Sequence, residues 1–257
     1  MSRFVNLELS GNGEEFSRRA RVVKDGPYYF AEATTAFENM EFEESLRLHG
    51  KVLEHDPGCA AAWTGQVRAQ IELGEYREAG LWADRALEQF PRAAELLAAK
   101  AVALGRMGEF GAALAFSDQA IEQPGQTPYV WLARADVLLG GKEQRAEYCF
   151  EKALAMAAGN WFVAWLAARI QFFHRQFLLA LKHAQRAVEW HPSHAPCWLL
   201  LGLCQQEAGM VGPARQSLEH AAELRPRWTE VNKANRAVDD TSFFRRVAGG
   251  VRGLFQK

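Results

Sequence analysis

Apolar and polar positions along the chain recur with a period near 34 residues. Pro57 and Pro91 stand 34 apart, as do Pro192 and Pro226, and Trp63, Leu97 and Trp131 step by 34, followed by Ala164 after 33 and Trp198 after 34 more. A row of small residues keeps the same phase: Ser45, Ala79, Ala113, Ala146, Ala180 and Ala214, each followed seven residues on by Val52, Ala86, Ala120, Ala153, Ala187 and Ala221. Within each period the apolar residues fall at helical spacing, Gly74, Gly108 and Gly209 mark a turn, and Pro closes four of the units, which predicts an amphipathic helix, a short turn and a second helix. Small side chains at matched places let the two helices approach closely. An aromatic or Val just past the turn (Phe42, Tyr76, Phe110, Phe177, Val211) packs the pair. One residue is lost between 131 and 164, near Gly140, Gly141 and Lys142, so the local curvature there is open.

The last full unit, Trp198-Leu199-Leu200-Leu201-Gly202 followed by Gly209, Ala214, Leu218, Ala221 and Pro226, resembles the signature of the tetratricopeptide repeat family, with Leu for its Phe. The Leu-Gly pair of that signature occurs only there, being Gln66-Val67, Lys100-Ala101 and Arg134-Ala135 in other units. The resemblance implies an all-α fold, a right-handed superhelical solenoid of helix-turn-helix units, over 26–228. Its phase divides the chain into units at 26–59, 60–93, 94–127, 128–160, 161–194 and 195–228. A single unit cannot bury its own apolar face, so stability is expected to accrue by stacking along the array. Residues 1–25 read as a flexible or edge-packed leader, 229–240 as a solvating cap helix, and 241–257 as a basic amphipathic tail.

Composition narrows the function classes. With 257 residues, 49% of them hydrophobic, and 16 Phe, 5 Tyr and 8 Trp, the chain can bury a substantial core. Thirty basic and thirty-one acidic side chains give a net charge of −1, which removes the global basic field expected of a nucleic-acid binder. Cys59, Cys149, Cys197 and Cys204 form no CxxC pair, which points to a reducing, cytoplasmic setting. No secretion signal and no transmembrane stretch is read in the sequence.

The common phosphate-binding, hydrolase and zinc-protease motifs are absent, and repeats occupy the chain, so no enzyme and no cofactor is expected. His183, His191, His194 and Cys197 are metal-ligand types without a known ligand spacing, so no metal is expected. Cys197 and Cys204, seven apart on one helix, read as small buried hydrophobes.

The resemblance implies that the first helix of each unit lines a concave groove. Carried over by phase, the inner positions include Phe37, Thr64, Arg68, Ile71, Ala98, Val102, Tyr129, Leu132, Asp136, Phe162, Trp165, Arg169, Phe172 and Leu203. Thr64, Arg68, Ala98 and Val102 stand where the chaperone-adaptor members carry Lys and Asn, which argues against recognition of chaperone C-termini. The fifth unit concentrates Trp161, Phe162, Trp165, Arg169, Phe172 and Phe173, too many large side chains for one inter-helix slot, so aromatic surface is expected on the groove wall. Arg68 and Arg169 offer planar forks for carboxylates or backbone carbonyls, a structural ion pair being the competing role. The candidate groove site is therefore Arg68, Tyr129, Asp136, Phe162, Trp165, Arg169, Phe172 and Phe173. The expected function is a protein–protein adaptor or assembly scaffold binding a partner peptide or helix.

The tail carries Arg245, Arg246, Arg252 and Lys257 with no acid between 243 and 257. At helical spacing Phe244, Val247, Val251, Leu254 and Phe255 share a face opposite the basic residues. Phe244, Arg245, Arg246, Val251, Arg252, Leu254 and Phe255 are the candidate tail contacts. A second reading follows, a peripheral membrane assembly factor held at an anionic inner leaflet.

Overall fold

A computed structural model describes residues 25–143 and 145–239. These comprise α1 (Gly26–Glu38), α2 (Phe42–His55), α3 (Ala60–Leu73), α4 (Tyr76–Gln89), α5 (Ala94–Arg106), α6 (Phe110–Glu122), α7 (Pro128–Gly140), α8 (Ala146–Met156), α9 (Trp161–Phe173), α10 (Phe177–Trp190), α11 (Ala195–Glu207), α12 (Val211–Leu224) and α13 (229–239), with no strand among the described residues. The leader before Asp25 and the tail contacts from Phe244 to Phe255 lie outside the described residues.

Consecutive helices pair, and the phased small residues are the reason. Ser45, Ala79, Ala113, Ala180 and Ala214 are fully buried between the two helices of their pair. Side chains of this size let the backbones approach closely, and at Gly202 a Cβ would fall 2.7 Å from the Leu218 side chain and 3.3 Å from the Ala214 carbonyl oxygen. Indoles fix three of the pairs to the loop before them. Trp63 Nε1 donates to the Pro57 carbonyl at 3.0 Å, Trp198 Nε1 to the Pro192 carbonyl at 2.6 Å, and Trp131 Nε1 to Gln126 Oε1 at 3.0 Å.

Every first helix ends on a residue in left-handed conformation: Met40, Gly74, Gly108, Lys142, Arg175 and Gly209, with φ between 59° and 86°. The next residue's N–H then reaches back to the helix, as from Glu75 to the Gln70 carbonyl at 2.9 Å and from Glu143 to the Leu138 carbonyl at 2.8 Å. The missing residue of the fourth unit is lost just after this turn, because Lys142 precedes Ala146 by four positions where Gly108 precedes Ala113 by five. In consequence α8 begins at Ala146 itself and has 11 residues against 14 in α10.

Residues 229–239 are more apolar in effect than their composition suggests. Val231, Ala234 and Val238, at helical spacing, are buried with Trp228 against Leu199, Ala214, Leu218 and Ala221, so this helix covers the exposed end of the array.

The array curls until its last units meet its first. Arg225 donates from Nη1 to the Asn39 carbonyl at 3.0 Å and from Nη2 to Glu41 Oε1 at 2.6 Å. His194 Nε2 donates to the Glu38 carbonyl at 3.1 Å, and the Phe37 ring lies edge-on to Phe162 with centroids 6.1 Å apart. Arg169 forms an ion pair with Glu72. Phe37, Phe42 and Ala69 thereby join one apolar cluster with Trp131, Trp165 and Leu200. These side-chain contacts close the solenoid on itself, and the expected concave groove is the wall of a central cavity.

Candidate functional site

The cavity measures about 520 Å³ and is bounded by the first helices of the units, with Tyr76, Arg175 and Phe177 contributed from turns and second helices. Six of the eight groove residues inferred from repeat phase line it: Arg68, Tyr129, Asp136, Arg169, Phe172 and Phe173. Phe162 and Trp165 do not. Trp165 is completely buried, stacks on Phe162 with centroids 5.7 Å apart, and donates from Nε1 to the Pro196 carbonyl at 3.3 Å. Its bulk meets the next repeat, and it acts as a support for the wall, a correction to its expected place on the binding surface.

Asp136 is the most enclosed charge. Arg106 grips it with both arms, Nε to Oδ1 at 3.1 Å and Nη2 to Oδ2 at 2.6 Å, and His174 Nε2 lies 2.7 Å from Oδ1. Burial alone would push this carboxyl up, but the Arg106 guanidinium and the His174 hydrogen bond outweigh it and hold Asp136 below the usual carboxylate range. The Arg106 guanidinium sits 3.3 Å from the centroid of Phe173, so one face of that ring is already occupied.

Arg169 takes the structural role open to it in the sequence. It pairs with Glu72 across the ring and stands over the rings of Trp165 at 4.8 Å and Phe42 at 5.2 Å. Arg68 is different. Its guanidinium lies 4.1 Å from the centroid of Tyr129 and 4.9 Å from that of Phe37, its Nη2 is shielded from solvent, and it has no acceptor or carboxylate partner among the described residues. Burial pushes the neighbouring Tyr129 hydroxyl up, against the opposing pull of Arg68, so the phenol stays protonated beside the cation.

Arg106, Glu72, His174 and Glu207 escaped the sequence analysis. A signal existed for three of them, since Glu72, Arg106, Phe173 and Glu207 share one repeat position, directly after the row of Ile71, Gly105, Phe172 and Gln206. Their charge and bulk at a fixed phase mark a further inward row. His174 lies just past the end of α9 and no periodicity points to it.

Among the described residues no group of His, Cys, Asp and Glu is arranged to hold a metal ion. Burial pushes the Cys197 and Cys204 thiols up to about 12, which keeps them protonated and inert. His191 and His194 stack on each other and pack at a tilt against Trp161, and His194 is committed to the ring closure.

Residues 36–101 match the family model described as Tetratricopeptide repeat. The helix pairs within that span are tetratricopeptide repeats. A tetratricopeptide repeat protein from Parabacteroides merdae ATCC 43184 superposes with a TM-score of 0.54 at 14% identity, covering 83% of this chain and 84% of that one. The type IV pilus biogenesis factor PilW gives 0.50 at 18% identity, over 81% of this chain and 97% of its own. The APC/C Cut9–Hcn1 structure gives 0.53 at 14% identity over 85% of this chain, which spans 44% of that longer one. At these identities the likeness establishes the tetratricopeptide repeat fold alone. No curated protein matches the chain. No helix among the described residues is long and apolar enough to cross a membrane.

Proposed function

We infer that this protein is a non-catalytic interaction scaffold in the cytoplasm, and that a partner protein anchors itself by inserting side chains into the central cavity. The observation that carries this reading is the cavity itself. It has about 520 Å³ of space lined by Tyr129, Phe172 and Phe173 together with Arg68, the aromatic and Arg composition from which binding hot spots are built. The polar groups there serve binding better than catalysis. Asp136 is locked between Arg106 and His174 and Arg169 is spent on Glu72, so these groups are committed to the cavity wall. Because the ring closes around the cavity, the partner enters from its mouth as a turn or chain end.

Filling the cavity tests this. Leu203 is a partly buried lining residue of α11, and Leu203→Trp places an indole in the space the partner needs. Partners captured by the tagged wild type should be lost with Leu203→Trp while the helical circular dichroism is unchanged. Capture of the same partners by the filled variant would place binding on another face.

A further inference from the structure

Arg68 breaks the pairing rule that the other shielded guanidiniums of the cavity obey. Arg106 is matched by Asp136 and Arg169 by Glu72, whereas Arg68 stands between two aromatic rings with Nη2 out of reach of solvent and of every described acceptor. A guanidinium nitrogen removed from water without an acceptor is costly, and the aromatic faces that flank it return only part of that cost. Arg68 lines the cavity, so the group able to complete it comes from outside the chain.

The surroundings specify that group. Arg106 and Arg169 are neutralised within the protein and the exposed Arg175 and Glu207 of the lining offset each other in charge, so one half-buried positive charge is left, which suits a single negative charge better than a dianion. The guanidinium fork matches a planar carboxylate with two parallel hydrogen bonds. Around it Ile71, Val102, Leu132, Leu203 and Phe172 offer an apolar wall large enough for an aromatic or branched side chain.

We propose that Arg68 is the recognition residue for a carboxylate carried beside a bulky apolar group, and that in the partner this is an acidic side chain next to an aromatic or aliphatic one. The carboxylate pairs with the Arg68 fork while the apolar neighbour lies against the wall of Val102, Leu132 and Phe172. The proposal rests on the scaffold reading for the source of the group, and on the pairing of Arg68 alone for its chemistry.

The chemistry is tested first, on the full chain, with 3-phenylpropionate and its neutral analogue 3-phenylpropionamide as probes. Binding is followed by calorimetry and thermal unfolding. The acid should bind about tenfold or more tightly than the amide, the preference a charge-assisted pair confers. At ten times its dissociation constant it should raise Tm by about 3–6 °C. Arg68→Met should abolish the preference for the acid, and Arg68→Lys, which keeps the charge without the fork, should reduce it. Equal binding of acid and amide by the wild type, or an undiminished preference in Arg68→Met, overturns the proposal, and the first comparison does not depend on either variant folding.

The source is tested with acetyl-Glu-Phe-amide against acetyl-Gln-Phe-amide, both with blocked ends. Preference for the Glu peptide supports an acidic side chain. Binding of 3-phenylpropionate without binding of the Glu peptide overturns that assignment in favour of a free small acid. Failure here is separable from failure of the scaffold reading. Partner capture lost with Leu203→Trp but kept with Arg68→Met leaves the scaffold standing and removes the role of Arg68, whereas probe binding with capture that survives Leu203→Trp does the reverse.

Discussion

His49 and His183 are buried in the helix pairs of the first and fifth units, and burial, abetted by Arg68 near the one and by Arg186 and Lys182 near the other, brings each imidazole down to about 4. In the unfolded chain a histidine titrates near 6.5. Between those limits the unfolded state binds protons that the folded state refuses, so stability falls as pH drops from about 6.5 towards 4, by up to about 3 kcal/mol for each residue. Urea unfolding across that range should show this loss, and His183→Phe, which keeps a ring against Phe150, should remove roughly half of it. A pH-independent midpoint would show that neither ring is shielded. At this scale the sequence was informative about position and silent about partners. The family resemblance, carried over by phase, brought Arg68 and Asp136 to the inner surface, but the groups that hold Asp136 lie 30 and 38 residues away in the chain, beyond any local pattern. Trp165 shows the converse error, because a residue in the inward phase can still be covered when the next repeat stacks over it.

The helix pair is the element that the sequence displayed most openly, since the spacing of Ser45, Ala79, Ala113, Ala180 and Ala214 is a direct consequence of close helix approach. What the pattern hid was how the turn tolerates side chains. Met40, Lys142 and Arg175 adopt the left-handed conformation that Gly74, Gly108 and Gly209 adopt without a Cβ penalty, and such a conformation costs an ordinary residue about 1–2 kcal/mol. Lys142 is exposed and makes no ion pair among those described, so Lys142→Gly should raise stability by about 1 kcal/mol in chemical denaturation. Destabilisation by that substitution would mean that the turn after α7 is not left-handed. The same turn shows what a one-residue deletion does in a repeat. The phase is recovered at Ala146, and the loss is absorbed by the first turn of α8, where the aromatic found in other units is also missing.

At the scale of the whole molecule, function follows from closure. Tetratricopeptide units stack through neighbouring contacts, and their periodicity sets the curvature of the array only approximately. Whether a first unit meets a sixth depends on small rotations summed over five junctions, which no local pattern encodes. The residues that seal the ring, Asn39, Glu41, His194 and Arg225, sit in turns or beside helix ends, where the sequence offered no reason to expect a closure contact. Closure turns a curved face into a cavity with a mouth, and it is what brings Phe37 of the first unit close to Phe162 of the fifth. The most direct measurement is therefore a nuclear Overhauser contact between the rings of Phe37 and Phe162 in protein labelled on phenylalanine, assigned by its disappearance in Phe162→Leu. With centroids 6.1 Å apart the cross-peak should be present in the free chain, and its absence from an otherwise folded protein would show an open solenoid and contradict the central cavity on which the proposed function depends.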